Sequence, residues 1–448
     1  MMIKLLPKSA AILFSVATSL VFTQACAQEP AETITADALR ADVQEWRNWF
    51  FATHPDPSFS VDVDLLQARF AAVAASLEGE YSRREAWLAL SILNPVFNDG
   101  HIAIRAPQDD YDSYIAAGGA DFTLPVAFYG GRLTVAPSVS PDSPFEAGDE
   151  ILAINGHSAT EIAGRIMQRM NGDTGGLRAY LLETRFPLYL WTVTGGTESW
   201  DVNVARPDGH QRTIRIDPVR DTSVESNDRW TLEFRDVTAV LTINTFMPDL
   251  EEAFGEFLDR SFAAIAEHDA ENLIIDISQN GGGAHQLSDR LFAYITDQRY
   301  TPLSAVTARI VAENQALIPG SEIGQVVSVP FAQWVEPPTE LDNRFDGNVA
   351  ILVGPGTYSQ AIVMAVTAQD FDIAPVAGPG TEGRANSTGQ VQLYRLANSG
   401  LEVAAPIYIF IRPSGDRSSA PVVPDIPLSG TRDEQISQLI ERLGHQGN

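Results

Sequence analysis

Cysteine is nearly absent from the chain. Its 448 residues include one, Cys26, within MMIKLLPKSAAILFSVATSLVFTQACAQEP. Lys4 and Lys8 precede an apolar run there, and Ala25-Cys26-Ala27 follows as a small-residue site. This is the pattern of a secretory signal peptide over residues 1–27, cleaved before Gln28. A transmembrane anchor and a lipoprotein acceptor at Cys26 are the alternatives, although Thr23 and Gln24 suit a lipobox poorly. Cleavage after Ala27 leaves no cysteine, hence no disulfide, no thiolate nucleophile and no cysteine-rich metal site. Beyond the leader, no apolar run is long enough to span a bilayer. The expectation is an exported soluble protein, periplasmic or extracellular.

Positive charge is the second scarcity. Lys and Arg total 30 against 58 Asp and Glu, a formal net charge of -28. So acidic a chain repels nucleic-acid backbones and anionic membranes at long range, which argues against both as partners. Metal motifs are missing as well: there is no H-x-x-x-H and no Cys cluster, so neither metal nor cofactor is expected. What remains is a globular balance, 44% hydrophobic and 20% charged, with length for two or three domains.

Residues 28–105 read as a helical domain. Leu39, Val43, Trp46 and Phe50 recur at helical spacing, as do Leu66, Phe70, Val73 and Leu77; THPDPS breaks the two runs apart, and Trp87 to Leu93 forms a third. Residues 106–215 read as a β-rich module. It has a turn at Ala147-Gly148-Asp149, a strand over 150–154, an Asn155-Gly156 turn, a helix from about Thr160 and an edge hairpin in WDVNVARPDGHQRTIRI. Residues 216–448 alternate strand and helix. Apolar strands are expected at 239–243, 273–277, 349–353 and 407–411, with helices near 251–265, 286–295 and 359–369, the pattern of an α/β sheet with crossover helices. A capping box from Thr431 to Glu434 starts a terminal helix with Ile436, Leu439, Ile440 and Leu443 on one face.

Two stretches could carry chemistry. In LVGPGTYSQAIVMAVTAQ, Ser359 opens a helix directly after a strand and a glycine turn, where open α/β sheets place ligands. The alternative is a simple N-cap serine. In NLIIDISQNGGGAHQLSDRLF, a strand runs into Asn280-Gly281-Gly282-Gly283 and then a helix. Such glycines let backbone amides approach developing negative charge; a flexible turn is the alternative, and the lysine of a phosphate loop is missing. A nucleophilic serine needs a base. Of seven histidines, His285 beside the glycine loop and His101 in NPVFNDGHIAIRA are the contenders.

These pieces together resemble the C-terminal processing peptidase and tricorn core superfamily of serine peptidases, the S41 type. NDGHIAI, GDEILAINGH, DISQNGGG, PGTYSQA, RPSG and VVPDIPL follow one another in the family's order over roughly residues 35–430. The resemblance implies a multidomain α+β protein with an N-terminal helical domain, a degenerate PDZ-like module and a ClpP/crotonase-like α/β protease core. It implies Ser359 as nucleophile, with an oxyanion hole from the amides of Gly282 or Gly283 and Gln360. The processing branch carries its base lysine where this chain reads Thr381-Glu382-Gly383-Arg384; arginine stays protonated and cannot serve. The tricorn-like branch uses a histidine, which falls on His101. Its orienting acid is displaced here: Asp416 is the nearest carboxylate, Glu382 a second candidate on another loop, and Ser278 stands where the family has arginine. The PDZ-like module lacks a glycine-rich carboxylate-binding loop and reads as a lid or spacer. The expected activity is hydrolysis of protein or peptide strands laid beside a sheet edge. A lapsed peptide- or ligand-binding protein and an esterase on the same scaffold are the alternatives.

Overall fold

The computed structural model describes residues 33–216 and 229–444. The leader and Cys26 lie outside the described residues.

The N-terminal region is helical: α1 (Ala36–Thr53), α2 (Val63–Ser76) and α3 (Arg83–Leu90). Each start is capped by a side chain: Thr35, Asp62, and a reciprocal capping box between Ser82 and Glu85. Trp46 of α1 meets Phe70 of α2 edge to face at 5.3 Å. A 3₁₀ stretch then runs to Phe97 and ends on Asn98, whose φ of 47° turns the chain sharply into Asp99-Gly100-His101. Residues Ala103–Ile104 form the short strand β1.

The next region contains a sheet in the order β2 (Val126–Tyr129), β3 (Arg132–Val135), β4 (Glu150–Ile154), β5 (Trp200–Ala205), β6 (Gln211–Ile216). Left-handed Asn155 (φ 48°) and Gly156 (φ 78°) make the tight turn after β4. The region is less purely β than its sequence suggests. Besides α4 (Ala159–Met167), it holds α5 (Gly175–Thr184) and α6 (Phe186–Thr194). The run FPLYLWTVT is apolar on every side because α6 is buried, so no amphipathic period marks it.

Two sheets build the last region. In the first, β7 (Trp230–Arg235) pairs antiparallel with β8 (Thr238–Ile243). Strands β9 (Asn272–Asp276), β12 (Asn348–Leu352), β13 (Val376–Gly378) and β16 (Ile426–Pro427) follow in parallel. Helices α7 (Glu251–Glu267), α8 (His285–Ala293) and α9 (Gln360–Asp370) pack on one face, and α10 (Arg432–Gly444) on the other, with Ile436, Leu439 and Leu443 against Val240, Ile274 and Leu352. Covered on both faces, β8, β9 and β12 are continuous apolar runs, which made them legible. The second sheet is antiparallel, in the order β11 (Val326–Pro330), β10 (Ala305–Arg309), β15 (Glu402–Ile411), β14 (Thr388–Arg395). Residues 407–411 therefore belong to a hairpin and not to the α/β sheet. No crossover helix separates β14 from β15, so they can only pair antiparallel.

Strand β1 adds to β15, with Ile104 opposite Val403, and one hydrophobic cluster joins α1–α3, the module and the turn end of the β14–β15 hairpin. Asp42 of α1, fully buried, binds the hairpin turn: its carboxylate accepts from the Asn398 amide (3.0 Å), Asn398 Nδ2 (2.7 Å) and the Ser399 amide (2.8 Å). Asp42→Ala leaves those donors unpaired and is expected to cost about 2–4 kcal/mol in a denaturant titration. A change below about 0.5 kcal/mol, the usual range of surface substitutions, would contradict this.

Candidate active site

Adjacent parallel strands β9 and β12 deliver two loops to the same carboxyl edge of the sheet. Thr357 stitches them together, accepting from the Gly354 amide at 3.0 Å and donating to the Ile277 carbonyl at 2.8 Å. The Tyr358 amide adds a bond to the Asn280 carbonyl at 2.9 Å. Ser359 follows, held at φ 52° and ψ -122°, a conformation non-glycine residues rarely adopt. Such strain amounts to about 1–3 kcal/mol and persists only where neighbours enforce it. The residue occupies the N-cap position of α9, yet its hydroxyl makes no cap hydrogen bond. A helix-starting serine would use that oxygen; this one leaves it unengaged among the described residues.

The glycine loop lies against it. Asn280, fully buried, donates to the Ile243 carbonyl at 3.0 Å and accepts from the Gly282 amide at 2.8 Å. Gly282 has φ 100°, and a Cβ there would sit 2.7 Å from the Cβ of Ser359 and 2.9 Å from the Gln360 nitrogen. Of the three amides named for an oxyanion hole, that of Gly282 is therefore committed to Asn280. Those of Gly283 and Gln360 have no partner among the described residues. The Gln360 side chain points away, donating to Ser288 Oγ at 3.0 Å.

His101 lies beside the ring of Tyr358, centroids 4.8 Å apart. Its Nδ1 is 3.0 Å from Thr388 Oγ1 and 3.4 Å from the Tyr358 hydroxyl. Among the described residues Nε2 makes no hydrogen bond, and none joins the imidazole to Ser359. Behind it lies a buried carboxylate pair. Asp99 accepts from the His101 amide (2.8 Å) and faces Thr388 Oγ1 at 3.1 and 3.0 Å. Asp173 accepts from the Gly100 amide (2.8 Å), the Tyr358 hydroxyl (2.8 Å) and the Arg384 amide (2.9 Å). Burial lowers the His101 pKa to about 4, with Asp173 opposing, so the ring is neutral at pH 7 and able to accept a proton. Burial first, then the Asp173 charge, pushes the Asp99 carboxyl up to about 7.

Residues 237–428 match the model of peptidase family S41. Over those residues, which run from β8 to β16, the chain is similar to that family. No curated protein matches its sequence. Among solved structures, mature CPAF complexed with lactacystin superposes with a TM-score of 0.62 at 14% identity, over 92% of this chain and 97% of that one. Mature CPAF gives 0.61 at 15%, over 91% and 96%. At such identity the likeness is one of fold, and the fold is a mixed α/β, multidomain one.

The two carboxylates expected to orient His101 are placed elsewhere. Asp416 is exposed and turned to its own loop, accepting from the Ser418 amide at 2.9 Å. Glu382 is bound by Thr174, the N-cap of α5, and covers Gly176; it ties the module to the core. His285 pairs with Asp289 at 3.1 Å on the first turn of α8, and Asp289 in turn accepts from Tyr300 at 2.7 Å. The residues that do surround His101 are Asp99, Asp173, Tyr358 and Thr388, with Arg384 beside the two carboxylates, and sequence reading singled out none of them as catalytic support. Asp99 stood inside the NDGH stretch and Tyr358 beside the serine. One further signal is compositional: the only lysines are Lys4 and Lys8, so no described residue can form a serine–lysine dyad.

Proposed function

We propose that this chain is an exported serine-type peptidase of the S41 type acting on protein or peptide substrates, with Ser359 as nucleophile and His101 as base. The observation that carries the reading is Ser359 itself. Its backbone is strained, its hydroxyl is free of the helix end, and the glycine loop packs against it at the carboxyl edge of a parallel sheet. His101 takes the Ser359 proton at Nε2 while Oγ bonds to the scissile carbonyl carbon. The amides of Gly283 and Gln360 receive the oxyanion. The C–N bond then breaks, His101 returns its proton to the leaving amine, and water hydrolyses the acyl-enzyme by the same route. Hydrogen bonds between nucleophile and base are often open without substrate, and closure of that gap belongs to the proposal. The leader read over residues 1–27 supports export. The region 106–215, read as a degenerate PDZ-like spacer, brings Asp173 to the site.

The test is a fluorophosphonate probe read by intact mass, beside S359A, with cleavage of unstructured proteins and small esters measured in parallel. Labelling that S359A abolishes, with protein cleavage, supports the peptidase; ester turnover without protein cleavage points to an esterase. The missing bond between His101 and Ser359 favours a second reading, a lapsed scaffold that binds peptides. Absence of labelling from pH 6 to 9 in folded protein selects it.

A further inference from the structure

We propose that Asp99 is the positioning acid of this site, acting through the hydroxyl of Thr388 to select the His101 tautomer whose Nε2 is free to accept a proton. The inference rests on the reading of Ser359 and His101 above and deepens it by supplying the acid that neither Asp416 nor Glu382 can be.

Nδ1 of His101 has two oxygen neighbours, Thr388 Oγ1 at 3.0 Å and the Tyr358 hydroxyl at 3.4 Å. Each is a hydroxyl with one proton to give. Tyr358 gives its proton to Asp173 Oδ1 at 2.8 Å. Thr388 faces both oxygens of Asp99, at 3.1 and 3.0 Å, and an ionised carboxylate can only accept. Both hydroxyls therefore present lone pairs to the imidazole, and Nδ1 must carry the hydrogen. Nε2 is left bare, as a base toward serine requires. Thr388 and Asp99 are nearly inaccessible to solvent, so no water competes freely for these bonds. The pair is also held from outside: Thr388 opens β14, and Asp99 Oδ1 is anchored by the His101 amide at 2.8 Å.

The same geometry reverses when Asp99 carries a proton. Asp99 then donates to Thr388, Thr388 donates to Nδ1, and the hydrogen of the imidazole moves to Nε2, where it blocks catalysis. The charged and titratable groups facing this unit are Asp173 and Arg384 around Asp99, and Asp99, Asp173 and Tyr358 around His101. Burial and Asp173 hold the Asp99 carboxyl near 7, against the opposing pull of the His101 amide, Thr388 and Arg384. Activity should thus rise through neutrality with the ionisation of Asp99, well above the pH at which His101 itself titrates.

The experiment compares fluorophosphonate labelling rates of the full chain, D99N, T388V and T388S from pH 5 to 9, with thermal melts. In parallel, ¹⁵N-histidine NMR at pH 8.5 reads the His101 tautomer, assigned by the resonance lost in H101Q. T388V should label at least about 10²-fold more slowly, and T388S should recover most of that loss. D99N should label slowly without the neutral acid limb, because its side-chain amide donates to Thr388 and enforces the wrong tautomer. It should fold at least as stably as the parent above pH 7, where it spares a buried charge. Wild type should show Nδ1–H and D99N Nε2–H. Folded T388V labelling at the parental rate, or wild type with Nε2–H at pH 8.5, would overturn the proposal. A parent that is never labelled sinks the reading of Ser359, and the tautomer measurement then decides Asp99 alone.

Discussion

Ser359→Ala is expected to abolish hydrolysis, lowering the rate by on the order of 10⁶-fold, while the protein stays folded. Adding a substitution at His101 should cost little more, since nucleophile and base act as a unit. The more discriminating variant is Ser359→Gly. Alanine keeps the Cβ and with it the strain of φ 52°. Glycine adopts that conformation freely, at an entropic cost of about 0.5–1 kcal/mol in the unfolded chain, against strain of about 1–3 kcal/mol. S359G should therefore be equally dead and more stable than S359A by about 1 kcal/mol in guanidinium titrations. Equal or lower stability of S359G would show that no strain is stored at the serine, and the nucleophile assignment would lose its main support.

Gly282→Ala is the second large effect. The new methyl would enter 2.7 Å from the Ser359 Cβ and 2.9 Å from both the Gln360 nitrogen and the Tyr358 oxygen, at φ 100°. Backbone on two sides leaves nothing flexible to give way, so the loop or the serine must shift. A displacement near 1 Å at the reacting atoms costs about 10²-fold. Combined with an obstructed amide, worth about 10²–10³-fold, labelling should fall by about 10³-fold or more. Gly281 is the control: a Cβ there meets nothing within 4 Å. G281A should keep both its melting temperature and its labelling rate. If G281A and G282A behave alike, the loop is a flexible turn and not a support for the nucleophile.

The contrast between these neighbouring glycines shows where sequence reading stops. The triple glycine, the serine and the histidine could be picked out because each stands in a local pattern: strand, turn, helix start. The strands of the α/β sheet could be read because burial on both faces leaves unbroken apolar runs, as in Thr238–Ile243. The terminal helix was legible through its capping box, which forms as expected: the Glu434 amide meets Thr431 Oγ1 at 3.3 Å and the Thr431 amide meets the Glu434 carboxylate at 2.7 Å. Nothing local marks Thr388, an ordinary β-branched residue at a strand start. It meets Asp99 across 289 positions of sequence. Asp173 likewise arrives from a region that reads as a separate module. Polar support assembled from four distant segments leaves no periodicity to detect, and the acids lying near the expected motif positions, Asp416 and Glu382, were the natural but misplaced candidates. The half-buried, alternating strands β11 and β14 were missed for a simpler reason: their pattern is that of a solvated edge, which loops imitate.

The pairing of β1 with β15 has a bearing on when activity can begin. On the reading above, the base comes from His101, the nucleophile is Ser359, and the strand that locks the base segment in place contributes Val403 and Ala404. A growing chain emerges from its amino end, so the histidine is made first and waits for Ser359, and then for Val403, before its partners exist. Until the β14–β15 hairpin is complete, Ala103 and Ile104 have no strand to join and Asp42 has no turn to bind. On that reading the protein is inert throughout its own synthesis and becomes competent only when nearly all of it is present. Truncation within the β14–β15 hairpin would thus yield a silent product and not a weakened enzyme.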